Sequence, residues 1–303
     1  MCPQRLMNKR SVDASAFAIR KAVVTAAAPR QNRLPLQQLV DRDGQVKTVL
    51  EMILQQCTAA GIDSVCVVIR PGDEDAYRAA AGSATAAITF AVQSEPLGYA
   101  HAILCAKDFV GDDPFLHSVG DHVYRTTGPE SCVEQLVAIA ADHRCTVSAV
   151  QPTRENRIGQ FGIVAGPHLA REDRLYSVAT VAEKPTPTQA ERDLVTPGLR
   201  SGHYLGFFGL HVLTPTVMEL LSDAVENLGE TPERSRRPAT LSDALARMPG
   251  RATYLAARLD ADRYNLGDKY GLLKAQLAIA MVGRDRDRIL SDLVELLAEG
   301  PRT

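Results

Sequence analysis

The chain has 303 residues with 34 basic and 36 acidic side chains, a formal net charge of −2 and a hydrophobic share of 45%. That length suits one large α/β domain or two smaller ones, and the near-neutral balance argues against a nucleic-acid or acidic-membrane surface. No apolar run reaches the roughly 18 residues of a membrane span. The N-terminus shows no signal-peptide core, so a cytoplasmic protein is expected.

In chain order, residues 1–20 are polar and aperiodic and read as a flexible arm. Residues 22–27, Ala-Val-Val-Thr-Ala-Ala, predict the first strand. A loop is expected over residues 28–44. A helix follows, with Val46, Val49, Leu50, Ile53, Leu54 and Cys57 on one face and Gly61 past its end. The unbroken apolar run Val65 to Ile69 predicts a strand buried on both faces. Expected next are a helix over 74–81, a strand over 87–92, a helix over 100–106, a strand over 115–119, a helix over 132–141 and a strand over 146–150. This rhythm predicts an α/β fold with a mostly parallel, doubly wound, Rossmann-like sheet.

Past residue 150 the style changes. Short strands are expected over 161–164 and 176–182, joined by a turn-rich stretch. A strand over 203–212 is interrupted by Gly206 and Gly209. A surface loop over 226–238, a strand over 253–259, and helices over 269–282 and 286–298 close the chain. The expected organisation is a nucleotide half (21–150), an inserted mixed or antiparallel acceptor half (151–285) and a C-terminal helix (286–303). The six cysteines form no Cys-x-x-Cys pair and sit in apolar patterns, so they read as buried free thiols.

Two segments carry chemistry. Gln93 stands five residues ahead of Gly98, at the mouth of a predicted helix. Its amide can donate to one edge group of a base and accept from another, and Gly98 lets the chain pass close to a ring. The competing reading is an ordinary turn. Asp121 follows Gly120 at the carboxyl end of a buried strand, where ligands of open α/β sheets bind. A lone strand-end carboxylate suits Mg²⁺, which takes one or two carboxylates plus substrate phosphates; a turn cap is the alternative. His117 and His122 read as incidental packing or surface histidines.

In order, the Leu-Val-Asp at 39–41, Gln93 with the Gly98 to Ala102 run, Asp121, Phe161-Gly162, Glu183-Lys184-Pro185, residues 240–244 and Tyr264-Asn265-Leu266-Gly267 form a pattern. With it the chain resembles the bacterial UTP–glucose-1-phosphate uridylyltransferases of the sugar-nucleotidyltransferase superfamily, over about residues 20 to 285. The resemblance implies transfer from UTP to a sugar 1-phosphate, glucose 1-phosphate foremost, with Mg²⁺ as cofactor. It assigns Ala27, Ala28, Gln93, Gly98 and Asp121 to the nucleotide. Gly162, Glu183 and Lys184 go to the sugar phosphate, and Asp121 and Asn265 to the metal. Small-molecule substrates are then the expected partners, and a homo-oligomer is left open.

The sequence departs from that family in three places. The glycine-rich phosphate loop after the first strand is here Ala28-Pro29-Arg30-Gln31-Asn32-Arg33. Pro29 has no N–H to offer a phosphate, and Ala28 and Arg30 resist positive φ. No lysine lies between Lys21 and Lys47, so Arg30 and Arg33 are the candidate replacement cations, with solvated loop arginines as the alternative. Asn265 stands where the family carries aspartate, and Ala100 where it carries glycine. The chain therefore reads as a nucleotidyltransferase, with Arg30, Arg33, Asp121 and Lys184 as its catalytic candidates. The alternative is a catalytically weak relative that binds a nucleotide or sugar phosphate as a regulatory protein.

Overall fold

The computed structural model describes residues 17–29, 31–82, 87–126, 128–170, 172–226 and 238–299. Arg30, residues 1–16 of the expected arm and most of the expected 226–238 loop lie outside the described residues. The strands are β1 (Lys21–Thr25), β2 (Gln38–Val40), β3 (Val46–Thr48), β4 (Ser64–Ile69), β5 (Ala87–Val92), β6 (Phe115–Val119) and β7 (His122–Thr126). They continue as β8 (Thr146–Arg154), β9 (Gly162–Ala165), β10 (Leu175–Ser177), β11 (Thr180–Glu183), β12 (His203–Leu213), β13 (Tyr254–Arg258) and β14 (Ala261–Asn265). The α-helices are α1 (Val49–Ala59), α2 (Glu74–Ala80), α3 (Tyr99–Leu104), α4 (Lys107–Val110), α5 (Cys132–His143), α6 (Pro187–Asp193), α7 (Pro215–Glu226), α8 (Leu241–Leu245), α9 (Gly271–Ala280) and α10 (Arg286–Glu299).

Ten strands form one mixed sheet with the order β10-β13-β8-β12-β6-β1-β4-β5, to which β9 and β11 attach beside β12. The block β6-β1-β4-β5 is wholly parallel. β12 runs antiparallel between β6 and β8 and joins the two halves of the chain. Successive residues of the central strands go to opposite layers. Ala22 and Val24, and Val65, Val67 and Ile69, pack with α1, α2, α5 and α9. Val23, and Cys66 and Val68, pack with α3, α4, α7 and α8. Burial on both faces is why these strands read as continuous apolar runs.

Several boundaries differ from the sequence expectation. The 28–44 stretch contains β2, and Val46 belongs to β3; the β2–β3 hairpin delays α1 until Val49, where Thr48 caps it through the Glu51 N–H. The 176–182 stretch is two strands, β10 and β11, which pair with different partners. The 203–212 strand is not interrupted: it runs on through a bulge between Phe207 and His211, where Gly209 takes φ +91°. The change of style expected at residue 150 falls inside β8.

Cys57, Cys66, Cys132 and Cys145 are buried free thiols and Cys105 is a partly buried one; Cys2 lies outside the described residues. Among the described residues, no helix is long and apolar enough to cross a membrane.

Candidate active site

A cleft of about 420 Å³ opens at the carboxyl ends of β1 and β6. Thr25, Ala27, Ala28, Gln31, Gln93, Gly98, Tyr99, Asp121 and His122 are among the residues that line it. It therefore brings together Ala27, Ala28, Gln93, Gly98 and Asp121, the expected nucleotide group. Arg33 is exposed and does not line the cleft.

Gln93 ends β5's extension and is almost wholly buried. Its Nε2 lies 3.1 Å from Gly98 O and 3.1 Å from His101 Nδ1. A carbonyl oxygen only accepts, so the amide nitrogen must face Gly98. With both hydrogens directed inward, Oε1 is the group left for a ligand. Gly98 has φ +109°, and a Cβ there would lie 2.4 Å from Pro238 Cβ, so backbone angle and packing both require glycine. The adjoining Ala100 N–H donates to Ala239 O.

The described residues of the loop after β1 bond to one another. Ala28 O accepts from both Gln31 N and Asn32 N, each at 3.1 Å. Asn32 is held by Tyr77 Oη on its carbonyl and by Asp73 on its side chain. Two N–H groups that a phosphate cradle would aim outward are thus directed to Ala28.

Asp121 is positioned by two long-range bonds: Gly120 N donates to Thr25 O, and Leu266 N donates to Asp121 O, both at 2.9 Å. The second comes from β14, which pairs with β7 so that Asn265 faces His122 and Arg263 faces Tyr124. Asp121 and Asn265 are thereby brought side by side along the backbone. The Asn265 side-chain oxygen accepts the Gly267 N–H at 2.8 Å, which leaves one lone pair. Burial by itself would raise the Asp121 carboxyl. The contact with His122 and the nearby Arg263 guanidinium outweigh it and hold the group below its usual range. An ionised oxygen ligand at a strand end fits Mg²⁺. The fit is sparse, since no cluster of three or more potential ligands occurs among the described residues.

The acceptor candidates form a second hollow of about 450 Å³, lined by Glu183, Lys184, Gln189, Ser242 and Asp243 among others. Glu183 Oε2 accepts from Ser242 Oγ at 2.5 Å, and Oε1 is 3.9 Å from Lys184 Nζ. Lys184 takes φ +46°, an unusual conformation for a lysine, and its N–H donates to Phe161 O. Its side chain is 59% exposed, so its ammonium reaches solvent. Gly162 is opposite Glu183 in the β9–β11 ladder. A Cβ there would lie 2.5 Å from both Phe207 Cδ2 and Ser242 Oγ, so the close approach it permits is that of the protein's own side chains.

Tyr99 lines the cleft. Burial raises its hydroxyl, and the charges of both Asp121 and Glu183 raise it further. The hydroxyl lies 3.4 Å from His117 Nε2, which also contacts Thr25 Oγ1. His117 and His211 are paired across β6 and β12 with their rings tilted against each other, both buried and both held neutral by burial. His211 continues to Ser148 and Tyr254. Of the packing or surface histidines expected, His117 is wholly buried and belongs to a polar chain through the sheet, and His122 lines the cleft. Gln31, Tyr99 and His122 also line the cleft, and sequence reasoning missed them.

Comparisons with known proteins bear on the family and the fold. The family model described as "Nucleotidyl transferase" matches residues 34–248, beginning just past the altered loop. The UTP–glucose-1-phosphate uridylyltransferase of Streptococcus pneumoniae is 25% identical over 290 residues, covering 87% of this chain and 91% of that protein. The corresponding Staphylococcus haemolyticus protein is 25% identical over 308 residues, covering 92% and 98%. A UDP-glucose pyrophosphorylase crystallised with UDP-glucose superposes with a TM-score of 0.69 at 19% identity, covering 86% of this chain and 98% of that one. The UTP-bound enzyme of Acinetobacter baumannii gives 0.68 at 20% identity, covering 91% and 98%. Sheet order, cleft and a match over residues 34–248 together make this chain a member of the nucleotidyl transferase family.

Proposed function

We propose that the protein transfers a uridylyl group from UTP to a sugar 1-phosphate, glucose 1-phosphate foremost, giving a UDP-sugar and pyrophosphate. The observation that carries this reading is the lining of two hollows: Gln93, Gly98 and Asp121 line one, and Glu183 and Lys184 the other. The relatives named for this reaction span nearly the whole chain.

In this reading Gln93 Oε1 accepts the imide N–H of uracil. Lys184 and Glu183 hold the acceptor's phosphate and hydroxyls. The acceptor phosphate oxygen attacks the α-phosphorus in line, and pyrophosphate leaves. The chain's part is to fix both reactants in one geometry, which is the larger share of catalysis for such a transfer. Asp121, with Asn265 beside it, would hold Mg²⁺, which when bound neutralises phosphate charge.

The loop after β1 favours a second reading, a regulatory protein that binds UTP or a UDP-sugar without turnover, because among its described residues the Gln31 and Asn32 N–H groups are directed to Ala28. Calorimetry with UTP, run beside a pyrophosphate-release assay over several sugar 1-phosphates, separates the two. Binding with release supports the enzyme; binding without release supports the regulator; no binding of either ligand refutes both.

A further inference from the structure

The turn that carries Gln93 is held from behind by a residue that does not itself line the cleft. Gln93 follows β5; its backbone N–H donates to Ile69 O at 2.9 Å, and the residue is almost wholly buried. Helix α3 begins at Tyr99, directly after Gly98, and it sends Tyr99 and Ala102 to the cleft wall. Between them, His101 places its Nδ1 3.1 Å from Gln93 Nε2. The amide nitrogen therefore stands between two groups of one short segment, Gly98 O and His101 Nδ1. That segment is fixed in turn: Ala100 is fully buried and its N–H donates to Ala239 O, and Ala102 N–H donates to Gly98 O.

The two contacts differ in what they dictate. Gly98 O can only accept, so it turns one hydrogen of the amide inward. The second hydrogen needs an acceptor too, and the imidazole supplies one only when Nδ1 is bare, which puts the proton of the neutral ring on Nε2. With the ring in that tautomer, an amide turned end for end would set Oε1 against two lone pairs, one on Gly98 O and one on His101 Nδ1. The cost of turning the amide is thus shared between a backbone carbonyl, which any residue would bring, and one side chain, which can be changed. Oε1 toward the cleft suits a base edge with an N–H, as N3 of uracil offers. A turned amide would present its NH2 and suit a bare ring nitrogen, as N3 of cytosine offers. His101 reaches the base only through Gln93, so its part is positioning.

We propose that His101 sets the base preference of the cleft by fixing the orientation of the Gln93 amide, with Nδ1 as the acceptor that keeps Oε1 toward the base. The inference rests on the nucleotide reading of the cleft.

The test is calorimetry on the full chain with UTP and CTP, for wild type, His101→Phe and His101→Asn, with folding checked by circular dichroism. Wild type should prefer UTP. Phenylalanine keeps a ring and removes the acceptor, so turning the amide costs one hydrogen bond less and the UTP preference should fall by about 3- to 10-fold. The fall should come chiefly from tighter CTP, because Gly98 O still favours the orientation that suits UTP. A role in folding alone would weaken both nucleotides together and leave their ratio unchanged. The asparagine oxygen can stand where Nδ1 stands and accept the same N–H, so His101→Asn should keep most of the preference. His101→Leu also lacks the acceptor and takes the place of His101→Phe if that variant does not fold. An unchanged ratio in the variant without an acceptor, equal weakening of both nucleotides, or a preference lost as fully in His101→Asn overturns the proposal, as does wild type that binds UTP and CTP equally. If wild type binds neither nucleotide, the nucleotide reading fails and the proposal falls with it.

Discussion

Gln93 predicts a base preference that can be worked out atom by atom. Its Nε2 is 3.1 Å from Gly98 O and 3.1 Å from His101 Nδ1, so only Oε1 faces a ligand. An acceptor at that position bonds the N3–H of uracil. Cytosine has a bare nitrogen at the same place, and two acceptors would confront each other in a closed site. Leaving a buried acceptor unpaired costs about 1–3 kcal/mol, which is roughly 5- to 150-fold in affinity. UTP should therefore displace a fluorescent uridine nucleotide at concentrations lower than CTP by about that factor. Gln93→Leu removes the acceptor and the two inward bonds together. It should abolish most of the preference while weakening UTP, and the thermal midpoint shows whether the loop stays folded. Equal affinity of wild type for UTP and CTP, or an undiminished preference in Gln93→Leu, would refute the reasoning.

Three further outcomes are expected. Asn265→Asp adds a carboxylate beside Asp121 and should raise Mn²⁺ affinity in the presence of UTP by about tenfold, or about 1.4 kcal/mol, as read by electron paramagnetic resonance. Lys184→Ala should weaken glucose 1-phosphate by about 10- to 100-fold and UTP much less, as measured by calorimetry. Burial pushes His211 down to about 3 from an ordinary value near 6.5, and moves His117 the same way. The unfolded chain then binds more protons, so stability is full above pH 6.5 and is lost as pH falls toward 3. Each histidine contributes up to about 1.4 kcal/mol per pH unit in that window. Urea unfolding at pH 7.5, 6 and 5 should show the slope, and His211→Gln should reduce it.

The parallel block was legible because β1 and β4 are buried on both faces and so carry apolar runs, Ala22 to Val24 and Val65 to Ile69. Gln93, Gly98 and Asp121 were legible because a turn glycine and a strand-end carboxylate leave local marks. The β7–β14 ribbon left none. His122 to Thr126 and Ala261 to Asn265 are short, polar and half-buried, and they pair across more than a hundred residues, as the Arg125–Asp262 contact shows. Arg263 lies in an Asp-Arg-Tyr-Asn run that reads as solvated charge, and its burial comes from Phe161 and Phe207, distant in sequence. Gly209 read as a strand breaker because one chain cannot show the bulge that its positive φ serves.

The most direct measurement is pyrophosphate release by the full chain with UTP, glucose 1-phosphate and Mg²⁺, compared with Asp121→Ala. The account predicts release that requires all three components, is lost in the variant, and is accompanied by UDP-glucose. UTP binding by calorimetry without pyrophosphate from any of several sugar 1-phosphates would contradict it and leave the regulatory reading in its place.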